Sequence, residues 1–142
     1  MCIRDRAGIA EGRFPEDAMH AVGDRLADLL FRENLLLDGF YYCPHHPGGT
    51  VAAYAVECDC RKPLPGLLLR AASEHGVDLR SSWMIGDILH DVEAGNRAGC
   101  RTILIDNGNE TEWRLGQRRV PTRMAPDLYA AAVLIASHGE LR

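Results

Sequence analysis

The chain has 142 residues, 46% hydrophobic and 25% charged, which is the size and composition of one ordinary globular domain and argues against disorder. A net charge of -4, from sixteen basic and twenty acidic residues, offers no cationic footprint for nucleic acid or an anionic membrane. No apolar run reaches the length of a membrane span, and "MCIRDRAGIA" lacks the apolar core of a secretory signal. These features, with cysteines gathered in one segment rather than scattered as a disulfide framework, lead to the expectation of a cytoplasmic protein with no nucleic-acid and no membrane partner; a monomer is expected as well.

In chain order, Cys2 reads as an exposed thiol, and no strand is expected ahead of the first helix. "FPEDAMHAVGDRLADLLFREN" carries Val22, Leu26, Leu29 and Leu30 on one helical face, with Pro15 in the first turn and Glu16 and Asp17 at the positive dipole end. "LDGFYYCP" is a short aromatic strand. Pro65 opens an amphipathic helix, "PGLLLRAASEHG", that Gly76 stops. "SWMIGD" is an apolar strand ending in Gly-Asp, "HDVEAGNRAG" a helix and "RTILID" a buried strand, with Cys100 a small hydrophobe at its entrance. The polar "NGNETEWRLGQRRVPTRMA" reads as loop, and "PDLYAAAVLIASHG" closes the chain as a helix. Strands alternating with helices, without tight hairpins, predict an α/β fold with a parallel sheet covered on both faces. Ligands of such sheets bind beyond the carboxyl ends of the strands, where Asp87 falls.

Three of the five cysteines cluster with a histidine in "YYCPHHPGGTVAAYAVECDC". Zinc takes four N/S ligands in a tetrahedron, and close pairs deliver two ligands from one turn of backbone. Cys43, His45, Cys58 and Cys60 form such a Cys3His set. It would be closed, hence structural, pinning a loop from Tyr41 to Pro63 that Gly48 and Gly49 allow to turn. The plainer reading is a chance group of buried cysteines beside a surface histidine. His46 is a weaker ligand candidate that points to solvent or supports the clasp.

Arg61 and Lys62 follow the last ligand directly. A planar fork and a compact ammonium suit phosphate oxygens, although such a pair is also an ordinary solvated surface feature. Gly86 at the strand end lets a ligand approach Asp87, which suits Mg2+. Asp91, in the next helical turn, either orients groups around that metal or is a plain helix-start acid. His90 is an exposed helix-start residue.

Together "DGFYYCPHHP", "CDCRKPLPG" and "GDILHDVEAGNRAGC" make the chain resemble the haloacid dehalogenase superfamily of phosphatases, in the branch of the heptose bisphosphate and histidinol-phosphate phosphatases. The resemblance runs from about Gly8 to the closing helix. It implies a Rossmann-like parallel sheet in one domain, with residues 41–63 as its zinc-binding loop. It makes Cys43, His45, Cys58 and Cys60 structural Zn2+ ligands and Asp87 a catalytic Mg2+ ligand. Arg61 would recognise a second phosphate, and Lys62 would steady the transferring phosphoryl group. Ile88 stands where the family often has lysine.

The family's first strand ends in Asp-x-Asp and its second in Thr-Asn-Gln-Ser-Gly; neither is found ahead of the first helix. "RAGIAEGRF" resembles the tail of the second motif, with Ala7 for Ser and Glu11 for Arg. The resemblance thus implies a domain shortened at its front by two strands, and a missing nucleophile. The implied function is Mg2+-dependent removal of the C7 phosphate of D-glycero-D-manno-heptose 1,7-bisphosphate. The alternatives are histidinol phosphate as substrate, or a non-catalytic zinc-stabilised fragment.

Overall fold

The structure, a computed structural model, describes residues 1–139. By its internal packing the chain divides into two compact units, Met1–Arg61 and Lys62–Arg142.

In the first unit, β1 (Cys2–Asp5) pairs in parallel with β2 (Phe40–Cys43), in a register that sets Cys2 opposite Phe40 and Asp5 opposite Cys43. The ladder extends at both ends, through Cys2 N–H to the Gly39 carbonyl (2.9 Å) and Arg6 N–H to the Cys43 carbonyl (2.8 Å). A strand ahead of the first helix departs from the sequence expectation. Four residues are too few to show a period, and it is the partner strand that satisfies their backbone groups. Cys2 within β1 is half-buried rather than exposed.

One turn of helix follows, α1 (Ala7–Ala10), with Ile9 and Ala10 buried, and then α2 (Ala18–Arg32). α2 begins three residues later than Pro15, so Glu16 lies ahead of the helix and serves another purpose described below. Its packed stripe also differs from the predicted one. Met19 is buried and Leu26 and Leu30 are half-buried, whereas Val22 and Leu29 are exposed. Gly23 belongs to the packed stripe because a Cβ there would approach the Phe40 ring to 3.2 Å.

In the second unit, β3 (Trp83–Gly86), β4 (Arg101–Ile105) and β5 (Arg123–Ala125) form a fully parallel sheet in the order β3-β4-β5. Parallel neighbours need a crossover, and α4 (Leu89–Ala98) supplies the one between β3 and β4. Gly95 makes that crossover tight: a Cβ there would stand 2.6 Å from Thr102 Cγ2 and 2.7 Å from Met84 Cβ. α3 (Gly66–His75) precedes the sheet and stops at Gly76, whose φ of 65° gives the left-handed cap that its sequence implies. α5 (Leu128–Gly139) packs Ala131, Leu134 and Ile135 against Ile103, Ala125 and Trp83. β5 lies within the stretch that reads as loop from sequence. Only Ala125 of its three residues is buried, so it carries no apolar signal of its own and owes its form to pairing with β4.

Candidate functional site

The loop after β2 brings the four predicted metal ligands together. The ligand atoms of Cys43, His45, Cys58 and Cys60 all lie within 4.8 Å of one another. Cys43 Sγ is 3.0 Å from Cys60 Sγ, 3.5 Å from Cys58 Sγ and 3.8 Å from His45 Nδ1, and His45 Nδ1 is 3.3 Å from Cys60 Sγ. A tetrahedral zinc with N and S ligands has edges of roughly 3.6–3.8 Å; the donor set is of the kind that ion takes, and its separations bracket that value. Burial pushes the Cys43 thiol above the usual thiol range and the Cys60 thiol up to about 11. A metal bound here would therefore displace protons.

The loop between the two ligand pairs is held by hydrogen bonds to its own backbone and to α1. His46 N–H donates to the Tyr54 carbonyl (3.1 Å), and Val51 N–H donates to the Ala10 carbonyl (2.9 Å). His46 stands outside the cluster, its Nδ1 accepting the Gly48 N–H at 3.0 Å. Gly48 and Gly49 are not needed for a left-handed turn, since neither has a positive φ. Gly49 is required for room: a Cβ there would meet the Ala10 carbonyl oxygen at 2.6 Å. Glu16 anchors the same loop, accepting from the Tyr54 hydroxyl at 2.6 Å and the Tyr42 hydroxyl at 3.2 Å. These bonds raise the Tyr54 phenol above its ordinary pKa. Arg61 Nη1 donates to the His45 carbonyl at 3.3 Å, which ties one of its five N–H groups to the clasp.

In the second unit, Lys62 Nζ contacts Asp91 Oδ1 at 2.5 Å, with side chains only 11% and 6% exposed. Asp91 is the third residue of α4. Its other oxygen accepts the N–H groups of Asp87 (3.1 Å) and Ile88 (3.4 Å). One buried carboxylate thus fixes both an ammonium and the turn that carries Asp87. That is more than a dipole-matched acid at a helix start would do. Gly86 makes the arrangement possible, because a Cβ there would fall 2.1 Å from Asp91 Cβ. Asp87, half-buried at the carboxyl end of β3, accepts from Asn109 Nδ2 at 2.7 Å. Its carboxylate at a strand end is the kind of oxygen donor that Mg2+ takes alongside water and substrate oxygens. His90 is exposed, as is Asp59 between the last two cysteines.

Two contributors escape the sequence reading. Glu16 sits in a helix-start pattern and reads as a dipole partner. Asn109 lies four residues past "RTILI", and its only sequence signal is position beyond a strand's carboxyl end, next to the strand that carries Asp87.

A parallel sheet with an aspartate just past a strand tip, beside a buried lysine–aspartate pair, defines an α/β protein whose candidate site lies at the carboxyl ends of its strands. The HAD-hydrolase-like family model matches residues 59–131, just over half of the chain, and the chain belongs to that family. It is 39% identical over 107 residues to the D-glycero-beta-D-manno-heptose-1,7-bisphosphate 7-phosphatase of Yersinia pestis, covering 75% of this chain and 57% of that protein. It is also 39% identical over 107 residues to the enzyme of the same name from Escherichia coli K12, covering 75% of this chain and 56% of that protein. The chain thus spans a little over half the length of these relatives. Among solved structures, a HAD-like protein from Mesorhizobium loti superposes with a TM-score of 0.75 at 30% identity, over 95% of this chain and 63% of that one. The D,D-heptose 1,7-bisphosphate phosphatase of B. bronchiseptica, complexed with magnesium and phosphate, superposes with a TM-score of 0.72 at 29% identity, over 94% and 72%.

Proposed function

We propose that the chain is the phosphate-handling part of a Mg2+-dependent phosphatase that acts on a phosphorylated sugar, D-glycero-D-manno-heptose 1,7-bisphosphate. The observation that carries this reading is the buried Lys62–Asp91 pair beside the strand-tip carboxylate of Asp87. Relatives and a structural neighbour named for that substrate support it. Lys62 presents a point charge to the oxygens of a transferring phosphoryl group, and Asp91 holds its ammonium in place. Asp87 holds Mg2+, which when bound neutralises developing charge on the phosphoryl oxygens. Arg61 recognises the second phosphate. Cys43, His45, Cys58 and Cys60 hold a structural Zn2+ that fixes the loop leading to it. Histidinol phosphate is the rival substrate within the same chemistry.

The test is phosphate release by the product of the complete reading frame, offered the heptose bisphosphate and histidinol phosphate in turn. Mg2+-dependent release from the heptose, lost in Asp87→Ala, is expected; no release, or release indifferent to Asp87→Ala, refutes the reading.

One observation favours a second reading for these residues taken by themselves. No Asp-x-Asp occurs anywhere in the 142 residues, so the carboxylate pair that would attack phosphorus and move its proton is not among them. On this reading residues 1–142 are a zinc-stabilised module that binds anions without turning them over. Phosphate release above background by purified 1–142, abolished in Asp87→Ala, would overturn it.

A further inference from the structure

Residues 107–122, polar and irregular, form a strap clamped at both ends within the second unit. At the far end, Asn96 Nδ2 donates to the carbonyls of Arg118 (2.8 Å) and Val120 (3.0 Å). Arg119 Nε donates to Glu93 Oε2 at 2.6 Å, while Arg97 Nη2 donates to Glu93 Oε1 at 2.6 Å. The Glu93 side chain is only 9% exposed, so this is a buried carboxylate gripped from two sides. Thr102 and Thr122 add two reciprocal bonds, 3.0 and 3.2 Å, each from one backbone N–H to the other's hydroxyl.

The near end reaches the β3–α4 turn. Glu110 accepts the Leu89 N–H at 2.6 Å with one oxygen and the Glu112 N–H at 2.8 Å with the other. Together with the two N–H groups on Asp91, three successive backbone donors of that turn, from Asp87, Ile88 and Leu89, are held by carboxylates. Asn109 completes the grip on the side chain itself, donating from Nδ2 to Asp87 Oδ2.

We propose that Asn109 is a positioning residue for a divalent cation at Asp87, and that the strap exists to deliver it. The proposal rests on the reading of Asp87 as the Mg2+ carboxylate. Asn109 takes one carboxylate oxygen, Oδ2, and fixes the side-chain rotamer, which would leave Oδ1 for the cation. The donor's neutrality matters. A lysine or arginine there would orient Asp87 equally well but cancel the charge that attracts the metal, whereas an amide orients it and leaves the charge intact. Hydrogen-bonding partners of metal-binding carboxylates are commonly worth roughly 10–100-fold in metal affinity.

The experiment titrates Mn2+, a paramagnetic substitute for Mg2+, into the zinc-loaded 142-residue chain and reads free Mn2+ by electron paramagnetic resonance. Wild type, Asp87→Asn, Asn109→Ala and Asn109→Leu are compared, the last keeping bulk without the donor. Both Asn109 variants are expected to bind Mn2+ roughly ten-fold more weakly than wild type, at unchanged zinc content and circular dichroism. Arg119→Ala, which opens the far clamp, should weaken binding in the same direction by less. Asn109 variants within two-fold of wild type, with Asp87→Asn abolishing binding, overturn the role of Asn109 and leave Asp87 standing. Absence of Mn2+ binding by wild type, or binding that survives Asp87→Asn, overturns both.

Discussion

The contact between Lys62 and Asp91 lends itself to a double-mutant cycle. An exposed lysine–carboxylate pair couples by less than about 1 kcal/mol, because water screens it and both side chains lose freedom. Here the side chains are 11% and 6% exposed and the atoms are 2.5 Å apart, which places the contact among charge-assisted hydrogen bonds inside the protein. Such bonds contribute about 1.5–3 kcal/mol, so a coupling energy of about 2 kcal/mol is expected. Lys62→Met keeps the length and bulk of the stem while removing the charge. Asp91→Asn keeps a side-chain oxygen for the N–H groups of Asp87 and Ile88 while removing the other charge. Both singles and the double would be unfolded in urea and followed through Trp83, which lies on β3, in a Trp113→Phe background that removes the second tryptophan signal. A coupling below about 0.5 kcal/mol, the value of a screened surface pair, refutes the assignment of this contact as a buried anchor.

Other expectations follow from the same geometry. Gly86→Ala would force a Cβ to 2.1 Å from Asp91 Cβ and 2.3 Å from its Oδ2; a loss of about 2–3 kcal/mol, read as a lowered Tm, is expected, and an unchanged melt contradicts the close approach. Freshly isolated protein should carry one zinc per chain by elemental analysis. Stripping it with a chelator should speed proteolysis between Tyr41 and Arg61, and unchanged cleavage counts against a structural metal. Acid should release the strap. Burial would raise the Glu93 carboxyl, but hydrogen bonds from Arg97 and Arg119 outweigh it and hold it low, and the Leu89 and Glu112 N–H groups lower Glu110. A depressed folded pKa contributes stability that is complete above the unfolded value, about 4.3, and fades as pH falls through the folded one. Emission from Trp113, on the strap, should therefore stay constant through the ordinary carboxylate range and shift only as the pH falls through the depressed folded values; an unchanged spectrum all the way to acid unfolding of the chain contradicts the clamp.

Much of this molecule can be read from residues alone, and the failures have a common cause. The Cys3His cluster is legible because metal ligands carry their chemistry in their identity, whatever the backbone does between them. α3, α4 and β4 are legible because a periodic apolar face, a closing glycine or an unbroken apolar run is a local property. β1 and β5 are not, since strands of four and three residues with mixed faces take their form from a partner elsewhere in the chain. The burial of Asp91 is invisible for a similar reason. Its sequence position suits any helix start, and only folding shows Gly86 making space for it and Lys62 meeting it. Asn109 and Glu110 look like solvated loop residues until the far end of their segment is seen to be fastened by Asn96, Glu93 and Thr102.

That fastening divides the labour of the segment between its ends. Between Thr111 and Gln117 the backbone's hydrogen bonds among the described residues fall within the strap itself, one of them from Arg119 Nη1 to the Arg114 carbonyl (3.3 Å), and Trp113 and Leu115 are 46% and 73% exposed. The middle is therefore slack rope between two moorings. Nature or an engineer can lengthen it, for instance with a fluorophore tag or an epitope after Trp113, which keeps Arg114 and Gly116 with Arg119 and does not drag Asn109 from its berth.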